Sequence, residues 1–89
     1  MVHIEAECPW DLKASVMRRM TERLREGRVS LVDGIKVFLD KNEWALILPD
    51  AEEPHFHIYA EANDDARAAE VGETYLQILR AVIADSQAA

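Results

Sequence analysis

One cysteine, three glycines, three prolines and a shortage of cations define what this sequence excludes. With Cys8 alone, no disulfide can form within the chain, which fits a reducing, cytoplasmic setting. Lys and Arg number 10 against 17 Asp and Glu, for a net charge of -7. Nucleic acids and anionic membranes are bound by displacing counterions with basic groups, so neither is an expected partner. No run approaches the roughly 20 apolar residues of a membrane-spanning helix. Residues Met1 to Glu7 have neither the basic region nor the apolar stretch of a secretory leader, and no lipidation or targeting motif is recognisable at the other end.

What is present suits one small globular domain over residues 1–89, with 49% hydrophobic and 30% charged residues. Val2, Ile4 and Ala6 alternate with His3, Glu5 and Glu7, as in a short strand or extended arm. Pro9 suits the first turn of a helix. From Trp10 to Glu26 there is no Gly or Pro, and Leu12, Val16, Met20 and Leu24, with Met17 beside them, form a helical apolar stripe that Gly27 ends. Val29-Ser30-Leu31-Val32 and Ile35-Lys36-Val37-Phe38-Leu39 flank Asp33-Gly34, a strong signal for a tight hairpin turn. Asp40 to Glu43 makes a second turn, and Trp44 to Leu48 reads as a buried strand. A loop bounded by Pro49 and Pro54 follows. The strand His55 to Ala62 puts Phe56, Ile58 and Ala60 on one face and His55, His57, Tyr59 and Glu61 on the other. Asn63 is the expected N-cap of a helix over 64–85, whose apolar face is Val71, Tyr75, Leu79, Val82 and Ile83, with Leu76 and Ile78 nearby. Gly72 inside that helix costs about 1 kcal/mol relative to Ala, so close packing against another element is expected there. The pattern predicts an α+β two-layer sandwich: four antiparallel strands with two helices on one face.

The run Leu48-Pro49-Asp50-Ala51-Glu52-Glu53-Pro54-His55-Phe56-His57-Ile58-Tyr59-Ala60-Glu61 carries a family signal. It resembles, without a gap, the loop Arg-Pro-Ser-Gly-Thr-Glu-Pro of the phosphohexomutase C-terminal domain and the strand after it. Pro49, Glu53, Pro54, Tyr59 and Glu61 match, and Asp33-Gly34-Ile35-Lys36-Val37 resembles a second family element at the right distance. The resemblance implies the TBP-like fold of that domain. It further implies a parent protein of the phosphomannomutase and phosphoglucomutase type, which interconverts hexose 1- and 6-phosphates by phosphoryl transfer. Cys8-Pro9-Trp10-Asp11-Leu12-Lys13, with Met17-Arg18-Arg19, is similar to a subgroup that carries a sugar-1-phosphate nucleotidyltransferase domain ahead of the mutase-like region.

In that family the fourth domain grips the substrate's non-reacting phosphate through loop N–H groups, hydroxyls and arginines. The corresponding residues here are Leu48, Pro49, Asp50, Ala51, Glu52, Glu53 and His57. Leu48 and His57 stand where the family has arginines, and Asp50, Ala51 and Glu52 replace Ser, Gly and Thr. A carboxylate 4 Å from a phosphate charge costs about 1 kcal/mol in water and about 4 kcal/mol at an effective dielectric of 20. Hexose phosphate is therefore expected to bind the domain weakly or not at all. No catalytic residue and no metal or cofactor is expected in this domain, because the resemblance places phosphoserine and magnesium in other domains of the parent chain. The domain alone is not expected to be an enzyme. It would shape or close the parent's site; the alternative is a structural or regulatory module beside a nucleotidyltransferase.

The remaining polar residues have competing readings. Asp50, Glu52 and Glu53 could hold a cation but are preferred as a solvated acidic turn. His55 and His57 share a strand face and could bind zinc with Glu52 or Glu61, against the preferred reading of partly exposed sheet residues. Protonated His57 could also keep a weakened phosphate contact. Cys8 reads as a buried or linker thiol, Trp10 and Trp44 as core or interdomain packing, and Arg18, Arg19, Arg23, Arg25 and Arg28 as a solvated helix face.

Overall fold

The computed structural model describes every residue except 32, 33 and 89, and for Arg28 the backbone alone. The elements run β1 (Val2–Glu7), α1 (Lys13–Leu24), β2 (Arg28–Ser30), β3 (Ile35–Asp40), β4 (Glu43–Pro49), β5 (His55–Glu61) and α2 (Asp65–Ala88). The strands form one antiparallel sheet in the order β1-β5-β4-β3-β2. Phe56, Ile58 and Ala60 of β5, Ala45 and Ile47 of β4, and Ile35 and Val37 of β3 are buried in one core with Val16 and Met20 of α1 and Val71, Leu76 and Leu79 of α2. The result is the expected two-layer α+β sandwich.

The sheet has five strands among the described residues, not four. The alternating residues at the start are a full strand, paired with β5 from Val2↔Ala60 to Glu7↔His55. Val2 and Ile4 pack on the core and Ala6 is buried in it, so β1 covers apolar surface of β5 and α2 that a four-stranded sheet would leave in water.

Local signals set most boundaries, with three corrections. The first helix opens as a single 3₁₀ turn over Trp10–Leu12, where the Leu12 N–H donates to the Pro9 carbonyl, and becomes α-helical only at Lys13. The cap of α2 is Asp64 rather than Asn63, since its Oδ1 accepts the Arg67 N–H at 2.8 Å. Trp10 is 54% exposed, its ring under the Lys13 ammonium at 4.0 Å, and Trp44 is half-buried on the open sheet face, so neither belongs to the core. Cys8, by contrast, is buried, and burial raises its thiol pKa, which makes it a poor nucleophile. Arg18, Arg23 and Arg25 are exposed and Arg19 is half-buried, as on a solvated face.

Two glycines answer to packing. A Cβ on Gly72 would lie 3.0 Å from both Ile4 Cδ1 and Val2 Cγ2, so this glycine lets α2 approach β1. Gly34 has φ of +127°, and a Cβ there would meet the Ile47 carbonyl oxygen at 2.7 Å. The expected Asp33-Gly34 turn itself includes Asp33, and the expected second strand includes Val32; both lie outside the described residues. The second turn is present: Asp40 pairs with Glu43, and Asp40 Oδ1 accepts the Lys41 N–H.

Among the described residues no helix is long and apolar enough to cross a membrane. Because both helices pack on one face of the sheet, the other face is left open. It displays His3 and Glu5 from β1, His55, His57 and Tyr59 from β5, and Leu46 and Leu48 from β4.

Candidate functional site

The β4–β5 hairpin and its loop at 49–54 border this open face. The loop is closed by a hydrogen bond from the Asp50 N–H to the His55 carbonyl and another from the His55 N–H to the Glu53 carbonyl, at 3.0 and 2.8 Å. Cys8, just after β1, donates its N–H to the Pro54 carbonyl at 2.9 Å. From the helical layer the Lys13 ammonium donates to the carbonyls of Asp50 and Glu53. Lys13 is only 8% exposed, so its charge is spent on the loop backbone. The loop is thus fixed on two sides by elements distant in sequence.

Asp50 organises the inside of the loop. Its Oδ1 accepts the N–H groups of both Glu52 and Glu53 at 2.8 Å. Its Oδ2 lies 2.7 Å from His57 Nε2 and 3.4 Å from His55 Nε2. The two backbone N–H groups, then the His57 ring, hold this carboxyl well below the usual carboxylate range, against a smaller opposing effect of burial. An ionised Asp50 requires the proton of His57 on Nε2. The other nitrogen, Nδ1, is 2.8 Å from His3 Nε2. His3 in turn stacks on Tyr59, with ring centroids 4.4 Å apart. Glu5 approaches His55 and His57 to 3.9 Å.

The residues expected at the site divide clearly. Leu48 and His57 are direct cross-strand partners. Pro49 pairs with Phe56, and Asp50 joins His55 and His57. Ala51, Glu52 and Glu53 are exposed, and Glu52 and Glu53 contribute backbone N–H groups. Glu61 pairs with Trp44 further along the sheet, away from the histidine pair. Sequence reasoning missed Lys13, His3 and Glu5. The alternation in β1 was the available signal for the last two, but not for which strand β1 would join. For Lys13, a lysine at the start of an apolar stripe was the only hint.

The chain matches no protein-family model. It is 39% identical over 82 residues to a protein of Methanopyrus kandleri named "Probable phosphoglucosamine mutase", covering 90% of this chain and 18% of that protein. The chain belongs to the phosphohexomutase family, as a domain of its C-terminal type. Phosphohexomutases of the same printed name from Methanococcoides burtonii and Methanobrevibacter smithii are 39% and 24% identical over 61 and 78 residues, covering 67% and 82% of the chain. The chain spans 18% or less of the length of these phosphohexomutase relatives.

Proposed function

We propose that this domain forms one wall of the sugar-phosphate site in a larger phosphohexomutase chain, shaping or closing that site without itself gripping a phosphate. The parent would interconvert hexose 1- and 6-phosphates by phosphoryl transfer in a cytoplasmic setting. The relatives' printed names favour a glucosamine phosphate over a mannose or glucose phosphate as its substrate. Phosphoserine chemistry and magnesium would belong to other domains of the parent, which are also this domain's partners.

The observation that carries the reading is the carboxylate of Asp50. A phosphate loop works by offering N–H groups and cations to an anion. In this loop the Glu52 and Glu53 N–H groups and the His57 ring already hold an anion, and that anion is the loop's own side chain. An incoming phosphate would have to displace Asp50 and then tolerate its charge. Leu48, opposite His57, offers no hydrogen-bond donor from its side chain.

The test is an NMR titration of the 89-residue chain with glucosamine 6-phosphate at neutral pH. The unmodified chain should show at most weak shifts. Leu48→Arg with His57→Arg should strengthen binding, because Arg–phosphate contacts are charge-assisted and bidentate. Asp50→Ser with Glu52→Thr should help independently. Micromolar binding by the unmodified chain, with shifts centred on residues 49–57, would overturn the reading.

A further inference from the structure

Two histidines and a carboxylate converge at the loop end of the β4–β5 hairpin. Asp50 Oδ1 is occupied by two backbone N–H groups, which leaves Oδ2 aimed at the histidines. His55 and His57 lie on the same face of β5, rings at 83° with centroids 5.0 Å apart, and both present Nε2 to that one oxygen. The side chains of Asp50, His55 and His57 are 23%, 21% and 15% exposed, so the cluster is sheltered yet reachable.

We propose that Asp50, His55 and His57 bind a divalent transition metal, zinc by preference, through Oδ2 and the two Nε2 atoms. Two imidazoles and one carboxylate are a donor set that zinc takes and that magnesium and calcium, which favour all-oxygen shells, do not. Zinc bonds of about 2.0–2.1 Å at tetrahedral angles separate ligand atoms by about 3.3 Å. The Asp50–His55 separation of 3.4 Å already meets that spacing. The Asp50–His57 pair, at 2.7 Å, must open by about 0.6 Å, a side-chain adjustment, and the ligand atoms all lie within 4.8 Å of one another.

The surroundings fit the same assignment. A metal-bound imidazole usually donates its other ring N–H to a partner. His57 has one in His3, whose Nε2 is 2.8 Å from His57 Nδ1. On binding, the His57 proton shifts from Nε2 to Nδ1 and is donated to His3 Nε2, whose own proton then sits on its Nδ1; a neutral His57 thus becomes a ligand without a net loss of charge. His3, Glu5 and His57 form a second possible group, but it would use Nδ1 of His57, and His3 and Glu5 are both exposed. Three protein ligands leave a fourth position for water or an anionic oxygen. The expected partners of the histidines, Glu52 and Glu61, take no part; Asp50 replaces them because the loop turns it back over the strand. The assignment holds whether or not the domain touches a sugar phosphate.

The test is calorimetric titration of zinc chloride into the chelator-stripped 89-residue chain, with NMR of the histidine rings. One equivalent should bind, and the rings of His55 and His57 should shift. Magnesium at the same concentration should leave them unmoved. His55→Gln, His57→Gln and Asp50→Asn should each weaken zinc binding by about tenfold or more, and Cys8→Ser should not change it. Absence of zinc binding, equal binding by the His55→Gln/His57→Gln double variant, or an equal response to magnesium would overturn the proposal. Should a variant fail to fold, the NMR of the unmodified chain decides: shifts centred on His3 and Glu5, or spread without a centre, would overturn it.

Discussion

Asp50 Oδ2 and His57 Nε2 are 2.7 Å apart across the mouth of the β4–β5 hairpin, and the same carboxylate caps two backbone N–H groups of its own loop through Oδ1. Both contacts favour the ionised form. The folded state therefore holds the Asp50 proton more weakly than the unfolded chain does. A depressed folded-state pKa adds stability above the unfolded value, about 3.9, and that stability is lost as the pH falls through the lower folded value. In metal-free buffer, the carboxyl carbon of Asp50 should titrate below those of the exposed aspartates. The stability advantage of the wild-type chain over Asp50→Asn should shrink as the pH drops below about 4, with His55, His57 and Glu5 as the neighbouring titrating groups. An Asp50 midpoint at the ordinary aspartate value would contradict this.

Lys13 should matter to the loop more than to its own helix. Its ammonium donates to the Asp50 and Glu53 carbonyls from a position only 8% exposed. Lys13→Met keeps the apolar stem and removes the donors, so the Asp50 carbonyl loses its partner and the Glu53 carbonyl keeps only the His55 N–H, at a cost of about 1–3 kcal/mol. Chemical denaturation should show that loss. Amide exchange should quicken first at Asp50 and His55, whose N–H groups close the loop. Unchanged protection at both amides would refute the clamp.

Gly34→Val should destabilise the domain by 1 kcal/mol or more, roughly the minimum cost of holding a β-branched residue at positive φ. The added Cβ would also meet the Ile47 carbonyl oxygen at 2.7 Å and Leu48 Cβ at 3.0 Å, so β3 cannot sit against β4 without a shift. An unchanged denaturation midpoint would count against this account.

The sequence by itself determined the kind of elements and which face of each is apolar. A helix shows its stripe every three to four residues and a strand every two, so Val16 with Met20, and Phe56 with Ile58 and Ala60, declare their buried faces locally. The β4–β5 hairpin around the loop was also legible, because Trp44 to Leu48 and His55 to Ala62 are contiguous β-prone runs on either side of Pro49 and Pro54. Only the tertiary structure decided the rest. It chose β5 as the partner of β1, brought His3 and Glu5 to His57 across 54 and 52 positions of chain, and ran Lys13 under a loop 37 residues away. It also turned Asp50 from a solvated acid into the loop's internal anion. Periodicity encodes which side of an element meets the core, but not which strand lies beside which. That choice rests on the sum of many contacts distant in sequence, and the candidate site is built from those contacts.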